Sequence, residues 1–171
     1  ARHGGMKELI LGGARSGKSA YAQRRALESG LAVTLIATAV AADAEMAARI
    51  AHHRAARPAQ WRVVEAPREL AAALRAEAAP GRCVIVDCLT LWLMNVIGAD
   101  FAAERGALFG ALPDLPGEVL FVANEIGLGI VPVGEETRRF RDEAGRLNQD
   151  LAAACERVTF VAAGLPMVLK N

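Results

Sequence analysis

Cysteine is scarce in this sequence: Cys83, Cys88 and Cys155 are the only three among 171 residues. An odd number without C-x-x-C spacing argues against both a disulfide framework and a zinc site. A reduced, cytoplasmic protein is expected. Long apolar runs are missing too. The longest uncharged stretches, Ser29–Ala42, Cys88–Ala99 and Val158–Leu169, fall short of the roughly 18 residues a membrane-spanning helix needs. No charged-then-apolar segment of the secretory kind opens the sequence. An excess of charge of one sign is also absent. Twenty Lys and Arg face 19 Asp and Glu, for a net charge of +1, which gives no argument for nucleic acid or an anionic membrane as partner. No internal repeat, low-complexity tract or linker divides the chain. Hydrophobic residues, in contrast, make up 53% and charged residues 23%. That composition supports a packed core, and the length suits one domain, expected over residues 6–171. Ala1 to Gly5, ahead of Met6, are expected to be a leader without function.

The most informative stretch is Lys7 to Ala20. An apolar run, Leu9-Ile10-Leu11, leads into Gly12, Gly13, Ala14, Arg15, Ser16, Gly17, Lys18 and Ser19. That is G-x-x-x-x-G-K-S, the P-loop pattern, with a strand before it and a helix after it. The glycines let the loop curl so that backbone amides converge on phosphate oxygens. Lys18 adds a positive charge, Ser19 offers a hydroxyl to Mg²⁺, and the following helix points its positive end at the same anion. The bland alternative is a glycine-rich turn without a ligand.

Strand and helix patterns alternate along the rest. Strands are expected at about Glu8–Leu11, Ala32–Ala37, Trp61–Glu65, Cys83–Asp87 and Glu118–Ala123. Helices are expected at Lys18–Ser29, from an Asp43 cap to about Ala56, at Arg68–Ala78 with Pro67 in the first turn, at Leu89–Ile97, over Asp100–Leu112 and over Glu135–Glu156. Val158–Ala162 and Met167–Leu169 read as a closing hairpin that turns over Gly164 to Pro166. The strands are continuous apolar runs, as burial on both faces requires. The fold class is therefore α/β: a mostly parallel sheet with helices on both faces and an antiparallel edge hairpin.

Several residues could carry chemistry. Asp87 ends an apolar strand, where P-loop proteins commonly place a carboxylate for Mg²⁺; capping the next helix is the alternative. On the 43–56 segment, a helical turn of about 100° per residue puts Met46, Ile50 and His53 on one face, and Glu45, Arg49 and His52 roughly a quarter-turn away. His53 is then the packed histidine and His52 the accessible one. Neutral imidazole can act as base, ligand or nucleophile, although most surface histidines do none of these. Arg54, Arg57 and Pro58 complete a compact HHRAARP stretch whose guanidiniums could meet phosphates. Asn124, Glu125 and the loop to Pro132 follow a strand at the sheet edge where α/β folds bind ligands. The long 135–156 helix is amphipathic, with Phe140, Ala144, Leu147, Leu151 and Ala154 on one stripe and its arginines on a solvated face. Trp61 and Trp92 are core or interface anchors.

Taken together, GGARSGKS, IAT, DAEMAARIAHHRAARP with WRVVEAP, VDCLTLWLMN and NEIGLGIVP resemble the bifunctional adenosylcobinamide kinase / adenosylcobinamide-phosphate guanylyltransferase family of cobalamin biosynthesis. The similarity runs from about Met6 to Lys170. The P-loop alone is common to many proteins; HHxxRP paired with NEIGxGIVP is far more specific. The resemblance implies a single-domain, RecA-like P-loop NTPase fold. It implies phosphorylation of adenosylcobinamide with ATP or GTP, followed by transfer of GMP from GTP through a histidine–GMP intermediate. By motif position that histidine is His52, with Lys18 assisting. The implied GTP contacts are Gly12, Gly13, Ala14, Arg15, Ser16, Gly17, Lys18 and Ser19, then Ala37, Thr38 and Ala39, then His53, Arg54, Ala55 and Ala56, and finally Glu65 and Asp87. Ser19 and Asp87 are the implied Mg²⁺ ligands. Small-molecule substrates, no nucleic acid, no membrane span and a homo-oligomer, trimers being known in the family, complete the expectation. Two rivals are a small-molecule P-loop kinase without guanylyl transfer and a P-loop nucleotide switch that acts on a partner.

Overall fold

The computed structural model describes residues 5–171; Ala1 to Gly4 of the expected leader lie outside the described residues. Gly5 is tied to the body, its amide donating to the Leu115 carbonyl at 3.1 Å. Seven strands alternate with six α-helices: β1 (Lys7–Gly12), α1 (Lys18–Glu28), β2 (Ala32–Ala37), α2 (Ala44–Ala55), β3 (Arg62–Glu65), α3 (Leu70–Glu77), β4 (Arg82–Asp87), α4 (Leu89–Val96), α5 (Phe101–Ala111), β5 (Glu118–Asn124), α6 (Glu135–Ala154), β6 (Arg157–Ala162) and β7 (Leu165–Lys170). They form one sheet in the order β3-β2-β4-β5-β1-β6-β7. Every neighbouring pair is parallel except β6 and β7. The expected mostly parallel α/β architecture and antiparallel edge are therefore present.

Side-chain alternation along each strand divides the core between the two faces. Leu9 and Leu11 of β1 join Val84, Val86 and Phe121 against α3, α4 and α6, where Leu70, Leu74, Trp92, Leu147 and Leu151 complete the layer. Ile10 points the other way and joins Ile85, Leu120 and Val122 against Tyr21, Ala22 and Ala26 of α1, with Trp61 alongside. Both tryptophans are buried, as their anchoring role requires. Buried Glu8 on β1 is neutralised by Arg25 at 3.3 Å and Arg157 at 3.1 Å.

Three local expectations need correction. Pro67 does not open α3; that helix starts at Leu70, and the Arg68 carbonyl is taken instead by the Leu70 amide at 2.9 Å and the Trp92 indole at 2.8 Å. The closing hairpin turns more tightly than expected, over Ala163 and Gly164, so β7 begins at Leu165 and takes Pro166 into an edge strand, where a missing amide is tolerated. His53 is not a packed residue: both histidines are exposed, and α2 buries none of its side chains. Its alanine-rich, weakly apolar stripe does not seat it on the sheet.

Candidate functional site

The P-loop leaves β1, an interior strand between β5 and β6, at its carboxyl end. Two glycines make its shape possible. A Cβ on Gly12 would lie 2.4 Å from Ser16 Oγ and 2.7 Å from the Val161 carbonyl oxygen. Gly17 has φ +92°, and a Cβ there would lie 3.0 Å from Gly164 Cα, so a side chain at either position would have to displace its neighbours. The β6–β7 turn braces the loop: the Gly164 amide donates to the Ser16 carbonyl at 2.7 Å. Lys18 folds its ammonium onto the Gly13 carbonyl at 3.0 Å. Gly17 offers no side chain to cap α1; the Lys18 amide makes only a long bond to Ser16 Oγ at 3.4 Å, so the first turn keeps donors for an anion.

Strand register sets out the rest. Ala37 at the end of β2 pairs with Glu65 at the end of β3 on one side and with Asp87 at the end of β4 on the other. Glu65, Ala37 and Asp87 thus form one rank across three parallel strands, spaced at about 4.8 Å per strand. Gly12 and Asn124 pair on the adjoining strands β1 and β5. Burial pushes the Asp87 carboxyl above the usual carboxylate range, and interactions with Arg57, His53 and Lys18 pull it back. Burial lowers Lys18, an effect that Cys88 and Asp87 oppose. Arg57 is likewise lowered by burial and supported by Asp87. The P-loop lysine, Asp87, His53 and Arg57 therefore share one electrostatic neighbourhood.

The fold does not gather all the expected residues equally. His52 is exposed on α2, its ring 6.2 Å from that of His53 between centroids; His53, not His52, is the imidazole that acts on Asp87. Arg54 pairs with Glu65, which joins α2 to the end of β3. Ala55 and Ala56 are exposed, and Ala37 and Ala39 half-buried. Thr38 is fully buried. Its hydroxyl donates to the Cys88 carbonyl at 2.6 Å and accepts from the Cys88 amide at 2.9 Å, so this side chain braces the chain just beyond Asp87. Cysteine chemistry has no place here: burial pushes Cys83 and Cys155 up to about 12 and Cys88 up to about 11, which keeps all three as unreactive thiols.

Asn95 was not singled out by the sequence. Its side-chain amide donates to the carbonyls of both Thr38 and Pro67 at 2.9 Å. From α4 it ties together the chain leaving β2 and the chain leaving β3. Trp92 adds a bond from its indole to the Arg68 carbonyl at 2.8 Å. Only the position of Asn95 one turn from Trp92 on an otherwise apolar helix hints at this role.

The donor chemistry suits Mg²⁺. The Ser19 hydroxyl and the Asp87 carboxylate are hard oxygen donors of the kind magnesium takes; the ion favours one or two carboxylates completed by substrate phosphates. Among the described residues no group of three His, Cys, Asp or Glu side chains could hold a metal alone. A site of this kind therefore depends on the nucleotide for its remaining oxygens.

Relatives place these features in context. Residues 8–169 match the cobinamide kinase / cobinamide phosphate guanyltransferase family. The chain is 60% identical over 170 residues to the bifunctional adenosylcobalamin biosynthesis protein CobP of Pseudomonas aeruginosa, covering 97% of this chain and 98% of that protein. It is 40% identical over 182 residues to the CobU protein of the same description from Salmonella typhimurium, covering 96% and 100%. Among solved structures, it resembles the flagellar accessory protein FlaH of Methanocaldococcus jannaschii (TM-score 0.57, 14% identity, 98% of this chain and 79% of that one). It also resembles the RadB recombinase (TM-score 0.51, 17% identity, 94% and 76%). At such identities these last two show the fold alone, the RecA-like P-loop sheet. With a family match across nearly its whole length and a relative 60% identical end to end, the chain belongs to the cobinamide kinase / cobinamide phosphate guanyltransferase family of bifunctional enzymes.

Proposed function

We propose that this chain phosphorylates adenosylcobinamide with ATP or GTP and then transfers GMP from GTP to adenosylcobinamide phosphate through a His52–GMP intermediate, releasing adenosylcobinamide-GDP. The observation that carries the reading is that the P-loop lysine and the histidine-bearing helix α2 converge on one carboxylate: Lys18 and His53 both act on Asp87. A kinase alone needs the first but not the second.

In the kinase step the P-loop amides and Lys18 hold the nucleotide phosphates. The substrate hydroxyl oxygen bonds to the γ-phosphorus, the β–γ bridging bond breaks, and its electron pair leaves with the nucleoside diphosphate as the hydroxyl proton passes to water. Positioning and charge neutralisation supply most of the catalysis. In the second step a ring nitrogen of neutral His52 bonds to the α-phosphorus of GTP. The α–β bond breaks, pyrophosphate leaves with the electron pair, and Lys18 and the loop amides take up the charge. A phosphate oxygen of the corrinoid then bonds to the same phosphorus, and the N–P electron pair returns to the imidazole. Mg²⁺, when bound by Ser19 and Asp87, would neutralise phosphate charge in both steps. Arg54, Glu65, His53 and the backbone at Ala37 to Ala39, Ala55 and Ala56 complete the proposed nucleotide site.

The proposed working unit is one domain over residues 6–171 in a cytoplasmic homo-oligomer, without nucleic acid. No helix among the described residues is long and apolar enough to cross a membrane. Support for self-association comes from the outer strand β7, exposed along its whole length.

GTP labelled at its α-phosphate tests the reading. Label should remain on the wild-type protein, labile in acid and stable in base, and be absent from His52→Ala. Cobinamide-dependent γ-phosphoryl transfer without protein-bound label would reduce the chain to a kinase. Neither activity, with nucleotide-dependent partner binding, would make it a switch.

A further inference from the structure

The loop from Glu125 to Gly134 is unlike the rest of the surface. It carries Ile126, Leu128, Ile130, Val131 and Val133, which are 37%, 80%, 97%, 63% and 95% exposed. No charged residue stands between Ile126 and Gly134. The nearest acid, Glu125, turns its carboxylate onto the Gly127 amide at 2.7 Å. A contiguous apolar stretch this open marks a binding surface; scattered single residues would not.

Both ends of the loop are anchored. The Glu125 amide donates to the carbonyl of Gly12, first residue of the P-loop, at 3.0 Å. At the other end the Arg138 guanidinium donates to the carbonyls of Pro132, at 2.9 Å, and Val133. The base is held in place while the apolar side chains face outward.

Topology gives the loop its meaning. Strand β5 lies between β4, which ends in Asp87, and β1, which runs into the P-loop. The loop therefore leaves the sheet between the acid and the phosphate cradle. Arg54 and Glu65 lie on the far side of Asp87, toward β2 and β3.

We propose that the 126–133 loop is the apolar shelf on which the corrin ring of the acceptor rests; this builds on the function proposed above. Cobinamide is a large macrocycle with aliphatic faces and an amide-bearing rim, and its reacting hydroxyl is carried on a flexible arm. A ring of that size cannot enter a phosphate loop. It needs a broad, uncharged surface beside the loop, from which the arm reaches the γ-phosphate. The 126–133 loop has that chemistry and that position. A second copy of the chain is the competing occupant. The outer strand β7 already offers a copy an open edge, whereas a copy seated on 126–133 would close the P-loop to the acceptor.

The test is the triple variant Leu128→Ser, Ile130→Ser, Val131→Ser, whose sites are all mostly exposed. Adenosylcobinamide KM in the ATP-dependent kinase reaction, ATP KM and assembly mass by light scattering are measured together. The corrinoid KM should rise about tenfold or more, because the ring would bury less apolar surface against the loop, with ATP KM and assembly mass unchanged. An unaltered corrinoid KM overturns the proposal. A reduced assembly mass at unaltered corrinoid KM also overturns it and assigns the loop to a second copy. Equilibrium dialysis with adenosylcobinamide and a non-hydrolysable ATP analogue separates this proposal from the reading beneath it. If the wild type binds corrinoid in dialysis yet does not phosphorylate it in the kinase assay with ATP, the function fails, and loss of binding in the variant still identifies the shelf. If dialysis detects no binding by wild type, the shelf is overturned.

Discussion

Asp87 shows how a buried carboxyl acts against stability. Burial raises its pKa, and three neighbouring groups only partly offset this. Between its unfolded and folded pKa values the native state holds more protons than the unfolded chain, so stability falls as pH rises through that window. Above it, the buried carboxylate remains a net cost. Asp87→Asn removes that cost. In urea unfolding of the nucleotide-free protein at pH 7.5, the variant should be at least as stable as wild type, and the difference should shrink as pH falls toward 4. Mg²⁺-dependent turnover should drop by roughly 100-fold. A variant that is unstable at pH 7.5 and loses turnover only in proportion to its unfolded fraction would make Asp87 a structural residue. Thr38 is the counterpart: it resembles a nucleotide ligand in the motif, yet its buried hydroxyl is spent on the Cys88 backbone.

Among the elements, α2 departs furthest from the rest. It has an Asp43 cap, whose carboxylate accepts from the Met46 amide at 2.8 Å, and it buries no side chain. Its visible hold on the sheet is the Arg54–Glu65 pair, exposed by 54% and 65% on its two sides, and exposed pairs contribute only about 0–1 kcal/mol. Such a helix belongs to the low-stability end of a protein, from which moving parts are drawn. The expected behaviour is fast amide hydrogen exchange over residues 44–55 without nucleotide and clear protection once GTP binds, as α2 closes to bring His52 to the α-phosphate. Slow exchange that GTP leaves unaltered, with His52 in similar positions in both states, would count against a moving helix. The 3₁₀ turn at Leu112–Asp114 shows the limits of pattern reading. Pro113 shortens the helix there, and a continuous apolar periodicity conceals the change.

For the whole molecule, the open question is what covers β7. Leu165, Met167, Val168 and Leu169 are 71%, 56%, 47% and 56% exposed, on the outermost strand of the sheet. An apolar edge of this kind invites pairing with another chain unless charge blocks it. If a second copy covers it, Val168→Lys should lower the assembly mass seen by light scattering at micromolar concentration, with little change in the unfolding midpoint of the protomer. An unchanged mass would remove β7 from the interface.

The alternating elements, the P-loop and the family are legible in the sequence alone. These rest on local order: apolar runs of strand length, a glycine spacing that few turns share, and two motifs read together. The sequence also placed Asp87 correctly at a strand end, because an apolar run stops there. Only tertiary packing settled which of the candidate side chains are open and which are spent on the backbone. Asn95 became a clamp because the strand order brings the exits of β2 and β3 beneath α4, a relation between residues 28 and 57 positions apart. His53 proved exposed because α2 is not laid on the sheet, and helical periodicity cannot reveal what a helix packs against. The loop after β5 is legible in sequence as a glycine-bearing loop at the carboxyl end of a strand, where α/β folds bind ligands, but its open apolar side chains are not. Strand order puts it between the acid and the phosphate cradle, and that placement depends on pairings distant in the chain.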